Sequence, residues 1–299
     1  MCDWLKANVI RTAVSSAAMR EAIDTSSALI GTVRGARPVE APDTAAAMLN
    51  KVPAVTLVFW IIKVMSTTVG ETGADYLAVH VGLGAALTGG IMVALLAGAL
   101  VLQLRSRRYT PWMYWLTVVL VSVVGTQITD ALTDGLDVSL YASTTAFALA
   151  LAAVFAVWYR RERTLSVHTI TTTRREWFYW AAILFTFALG PAAGDLATEA
   201  IGLGFRVGVL AFGALIAVIA IAWRFGLHSV LAFWLAYILT RPLGASLGDL
   251  LSQAPTYGGF GLGTVNTSLV FLAVIVSLVV FITVIPSRGD SGAGATQRP

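Results

Sequence analysis

One spacing, written four times, constrains this chain more than any other feature. Trp60, Gly70 and Asp75 form W-x9-G-x4-D, and the same intervals recur at Trp115, Gly125 and Asp130, at Trp180, Gly190 and Asp195, and at Trp234, Gly244 and Asp249. In each copy an aromatic residue precedes the tryptophan: Phe59, Tyr114, Tyr179, Phe233. Four identical intervals mark an internal fourfold repeat. Each copy ends a long apolar run with a carboxylate, a placement costly enough to be a functional hypothesis by default.

Composition says what surrounds these runs. The 299 residues are 57% hydrophobic and 12% charged, with mean hydropathy +0.79. A soluble domain carries about 25% charge, so the chain reads as an integral membrane protein whose first partner is the lipid bilayer. The net charge of +4 is explained by loop asymmetry and calls for no nucleic acid. The single cysteine, Cys2, excludes an internal disulfide framework and a Cys-rich metal site. The charge-dotted first 50 residues contain no apolar stretch expected of a cleavable signal peptide. They read as a disordered segment or, over about Val9–Ile30, a helix lying on the membrane surface.

From Pro53 onward, apolar runs of membrane-spanning length predict an all-α protein with helices near 53–75, 84–104, 110–131, 139–159, 176–197, 205–223, 229–250 and 264–285. The repeats are then 51–108, 109–175, 176–227 and 228–287, two helices each, followed by a disordered tail at 288–299. Arg105, Arg107 and Arg108, then Arg160, Arg161, Arg163, Arg174 and Arg175, then Arg224, fall between repeats. Loops inside repeats hold Asp134, Asp137, Glu199 and one base, Arg206. The positive-inside rule places both termini in the cytoplasm of a multi-pass protein of the plasma (inner) membrane. Two helices per repeat make the four repeats parallel, related by a pseudo-symmetry axis along the membrane normal. The four aspartates then share one depth, toward the extracytoplasmic side.

Two readings of Asp75, Asp130, Asp195 and Asp249 stand side by side. In one they form a cation or proton site, since clustered acids cannot all stay ionised without a counter-charge. In the other each aspartate caps a turn. Repeat one adds Glu71, four residues before Asp75 and on the same helix face, and an intramembrane base, Lys63. Repeat four adds Arg241. If repeats one and four are neighbours in a ring, Lys63 and Arg241 are counter-charges to the acids. Gly70, Gly125, Gly190 and Gly244, two of them beside Pro191 and Pro242, are candidate helix breaks that free backbone carbonyls. The hydroxyls of Ser66, Thr67, Thr68, Ser122, Thr126, Thr186 and Thr240 complete a hard oxygen set. Such a set suits Mn²⁺, Mg²⁺, Ca²⁺, Na⁺ or H⁺ rather than Cu⁺ or thiolate-bound Zn²⁺, although the same residues also bond their own helix backbone.

The aromatic residues crowding the helix starts (Tyr109, Trp112, Tyr114 and Trp115; Trp177, Phe178, Tyr179 and Trp180) read as an interfacial belt. A cation–π cage for an organic cation is the sharper alternative. His80, His168 and His228 share no ligand spacing. The loop glycines Gly82, Gly84, Gly202, Gly204, Gly261 and Gly263 follow no strand and form no phosphate motif. No nucleophile–base set, HExxH or P-loop is present, so the chain reads as a non-enzyme without a cofactor.

The segments Lys51-Val52-Pro53-Ala54-Val55-Thr56, Phe59-Trp60, Gly70-Glu71-Thr72-Gly73-Ala74-Asp75 and Thr240-Arg241-Pro242-Leu243-Gly244 resemble a bacterial membrane-protein family. That family is built from four tandem two-helix repeats, each with a characteristic tryptophan. The resemblance covers 51–285 and implies a membrane protein; it implies no activity. The residues themselves point first to a transporter or channel for a hard cation or protons. The alternative is a structural or interaction membrane protein whose aspartates are caps.

Overall fold

The structure, a computed structural model, describes residues 50–75 and 84–284, with the side chains of 71–75, 85 and 199 left aside. The expectations for residues 1–49, for the tail at 288–299, and for the side chains of Glu71 and Asp75 lie outside the described residues.

The described residues are helical, with no strand among them. Eight long helices follow one another: α1 (Leu57–Asp75), α2 (Ala85–Arg105), α3 (Pro111–Thr133), α4 (Leu140–Glu162), α5 (Thr173–Asp195), α6 (Gly204–Arg224), α7 (Ser229–Ser252) and α8 (Thr264–Val284). Seven are long and apolar enough to cross a bilayer, which marks a multi-pass membrane protein; in α1 the apolar stretch is the shorter Leu57–Gly70. Helices suit that setting because every backbone N–H and C=O finds its partner within the segment. Their ends carry recognisable signals. Pro111 opens α3, where its missing N–H costs nothing. The hydroxyls of Ser139 and Thr172 cap α4 and α5.

Odd and even helices play different parts. The apolar windows of α3, α5 and α7 are 50–61% buried within the protein, against 6–22% for α2, α4, α6 and α8. The odd helices form a closed inner ring, in which α1 packs on α3, α3 on α5, α5 on α7 and α7 on α1. Each even helix leans on the first helix of the next repeat: α2 on α3, α4 on α5, α6 on α7, and α8 back on α1. A repeat therefore does not bury its own hairpin. It lends its second helix to its successor, and the last repeat lends to the first. The faces left bare on the even helices are apolar, as at Leu95, Leu149, Leu210 and Val280.

The first helix starts at Leu57 rather than near Pro53. Lys51, Val52 and Pro53 instead form a buried strap, and the Lys51 N–H donates to the Ile170 carbonyl at 3.1 Å.

Candidate functional site

Every fourth residue of each inner helix, counted from the repeat's first aromatic, builds the centre of the bundle. The rows are Phe59, Lys63 and Thr67 on α1; Tyr114, Val118 and Ser122 on α3; Tyr179, Ile183 and Phe187 on α5; and Phe233, Tyr237 and Arg241 on α7. All twelve are buried. Residues four apart form one of the ridges along which helices interlock. Continued upward, each row reaches its repeat's aspartate, sixteen residues after the first aromatic.

At the Arg-rich end the rows form an aromatic ring. Phe59 packs on Trp115 at 5.5 Å, Tyr114 on Trp180 at 5.6 Å, Tyr179 on Trp234 at 6.3 Å and Phe233 on Trp60 at 5.7 Å. Each aromatic thus meets the tryptophan of the following repeat, and the fourth closes on the first. The Tyr114 and Tyr179 hydroxyls join at 2.5 Å. Three of the four repeat tryptophans are therefore core residues and Trp60 packs, partly buried, against them, which corrects the expectation of an interfacial belt for these positions. Trp115, Trp180 and Trp234 are buried, and the Trp234 indole donates to the Leu165 carbonyl. Belt-like exposure falls to Trp112 (51%), Trp177 (56%) and Trp223 (53%). Tyr109, just below α3, is buried enough to push its phenol above the ordinary range.

The repeat glycines form a second ring. A Cβ on Gly70 would strike the Ser122 side chain, and one on Gly125 would lie 2.8 Å from the Phe187 backbone. One on Gly190 would strike the stem of Arg241, and one on Gly244 the Thr67 side chain. Each glycine of one repeat thus receives the residue three before the glycine of the next. These glycines do not break their helices, contrary to expectation: α1, α3, α5 and α7 run through them as continuous α-helix. They bring the helices close instead, the role of small residues in membrane packing. Pro191 does free a carbonyl without a break. It lacks the N–H that would bond Phe187 O four residues earlier, and the Arg241 Nε–H donates to that oxygen at 3.2 Å.

Lys63 and Arg241 meet in this layer, both wholly buried. Lys63 Nζ donates to Thr67 Oγ1 at 3.2 Å and lies 4.1 Å from the Phe187 ring centre and 4.4 Å from that of Tyr237. Arg241 donates to Phe187 O, to Thr67 O and to Thr126 Oγ1, and its guanidinium lies 5.2 Å from the Phe187 ring. The Phe187 ring therefore lies against both basic side chains at once. Among the described residues no carboxylate stands within ion-pair distance of Lys63. The neighbourhood of repeats one and four is as expected, because α7 closes on α1. Phe187, Tyr237 and Thr126 were not picked out as partners of these bases. Stepping back through the sequence in fours from each aspartate would have found the first two.

Above this layer, hydroxyls climb α3. Thr129 Oγ1 donates to Gly125 O and Ala188 O, and Thr133 Oγ1 to Thr129 O. Thr133 lines a cleft of about 540 Å³ at the opposite end from the arginines. Its walls carry Asp130, Asp195 and Asp249, with Asp134, Asp137, Ser139 and Gln253. Three of the four repeat aspartates thus come to one place, two or so turns beyond Arg241. No three acid, histidine or cysteine side chains among the described residues sit close enough to grip a bare metal ion. The lining is strongly acidic, with five aspartates around one cleft.

The sequence matches the model described as Repeat of Unknown Function (DUF347) four times in tandem, at residues 58–109, 113–164, 178–226 and 232–285. Each match takes in one inner helix and the outer helix that follows it. No curated protein and no solved structure matches the chain. The four matches cover more than half of its length, and the chain belongs to this repeat family.

Proposed function

We propose that this protein is a transporter, and not an enzyme, that takes a hard cation or protons into the acidic cleft. All eight helices span the membrane on this reading, as four parallel repeats about a pseudo-fourfold axis. The Arg-rich end and both termini lie in the cytoplasm, and the cleft opens on the outer face of the plasma membrane. One observation carries the reading: Asp130, Asp195 and Asp249 share one cleft of about 540 Å³ with Asp134 and Asp137. Charges so grouped attract cations and focus their field into a low-dielectric mouth. Asp75, the equivalent residue of repeat one, and Glu71 one turn before it are assigned to the same site. Lys63 and Arg241, lower in the rows, are the fixed positive charges that balance it when empty.

The test is ion flux into proteoliposomes with Asp130, Asp195 and Asp249 all changed to Asn. Flux is expected to fall at least tenfold while the melting temperature moves little. Unchanged flux in folded protein overturns the reading.

The interlocked glycine and aromatic rings favour a second reading, a static membrane scaffold. There the single Asp→Asn changes each lower the melting temperature, and added cations leave it unchanged.

A further inference from the structure

Another buried charge sits at the other end of the bundle, outside the cleft and its rows. Glu176, in the first turn of α5, is 1% exposed, and one of its oxygens, Oε2, meets Lys51 Nζ at 2.6 Å. The same ammonium donates to the Leu104 carbonyl at 3.2 Å, at the end of α2. The second carboxylate oxygen, Oε1, has no hydrogen-bond partner among the described residues. Gln103 and Trp180 face this carboxylate, yet the Gln103 amide, 1% exposed, and the Trp180 indole also lack a partner of full geometry. Buried polar atoms are nearly always satisfied, so a set left short in one place needs an explanation.

We propose that Glu176 and the Leu104 carbonyl, with the Gln103 amide beside them, form a cradle for a monovalent cation, and that the Lys51 ammonium occupies it in this structure as a tethered stand-in. The chemistry fits. The donors are hard oxygens, a carboxylate and a backbone carbonyl, of the kind that takes alkali and ammonium-type cations. One carboxylate balances one positive charge, so a divalent ion would be left in excess. Lys51 arrives on the buried strap Lys51-Val52-Pro53, pinned by its own N–H to Ile170 O. Lifting the strap withdraws the ammonium and empties the cradle. Buried ion pairs add little net stability over an apolar replacement but cost much when half-broken, which suits a plug better than a brace. The inference goes beyond the transport reading, because it uses none of the cleft residues.

The test reads melting temperature in purified full-length protein carrying Lys51→Met, in NaCl, KCl or choline chloride at equal ionic strength. Na⁺ or K⁺ is expected to raise it saturably by about 4 °C over choline, as binding at roughly ten times the dissociation constant would. The wild type, and Lys51→Met with Glu176→Gln, are expected to show no such difference. Lys51→Gln repeats the measurement with a donor retained toward Leu104. Equal curves in the three salts overturn the proposal and leave a permanent structural pair. Failure of both variants to fold in any of the salts also overturns it, because a cradle with affinity for a free cation would rescue the fold. Loss of flux in the cleft variants touches neither result.

Discussion

At the scale of single residues, Arg241 shows how one side chain joins the ring. Its stem fills the space left by Gly190 on α5, and its guanidinium bonds Phe187 O on α5, Thr67 O on α1 and Thr126 Oγ1 on α3. One residue on α7 thus holds the other three inner helices. The Phe187 carbonyl needs that donor because Pro191 cannot supply one. Arg241→Met is expected to leave this carbonyl unsatisfied, at a cost of about 1–3 kcal/mol for that group alone. In a Pro191→Ala background the restored N–H takes over, so the double-mutant cycle should show coupling of about 1 kcal/mol or more. Additive effects on thermal melting would refute the link. Arg241→Lys keeps the charge but not the planar fork; it should melt below the wild type because one ammonium cannot reach three acceptors on three helices.

At the scale of the helices, the repeated motif assigns its parts to different contacts. The tryptophan and the aromatic before it seal one end, the glycine sets how closely neighbours approach, and in repeats two to four the aspartate lines a cleft at the other end. Gly125→Ala forces a methyl group against the Phe187 backbone, which cannot swing aside as a side chain would. Overpacking of this kind costs about 1–3 kcal/mol. The expected drop in melting temperature exceeds that of Gly98→Ala on α2, where an added Cβ meets nothing within 4 Å. Equal melting of the two variants would show that the glycine ring is not a packing device. Helix positions were legible in the sequence to within about four residues, because apolar length and basic loop residues mark a membrane helix almost alone. The continuity of α5 and α7 through Pro191 and Pro242 was not legible. A proline breaks or merely bends a helix according to what its neighbours offer the freed carbonyl.

At the scale of the whole molecule, closure is the governing fact. Because α8 packs on α1 as α2 packs on α3, the chain has no natural first repeat. A circular permutant that joins residue 285 to residue 50 by a flexible linker and opens between α2 and α3 is expected to fold, melting within a few degrees of the parent. Deleting repeat four should instead abolish folding, since α1 would lose both α7 and α8. A permutant that fails to fold while the deletion folds would show that the ring closure is incidental.

The sequence alone determined that the chain is a membrane protein of four two-helix repeats, and where each helix lies. Those properties follow from apolar length, from charge in loops and from spacing, all local along the chain. It also singled out the aspartates, the two buried bases and the glycines, because each is expensive or permissive in lipid whatever surrounds it. Only the tertiary structure decided that the tryptophans face inward, that the glycines are contacts rather than breaks, and that each repeat packs on its successor. These depend on which helix stands beside which, and four near-identical repeats present nearly the same face to every candidate neighbour. The W-x9-G-x4-D pattern is compatible with a belt, a break and a cap; ring closure makes it a seal, a contact and the wall of a cleft.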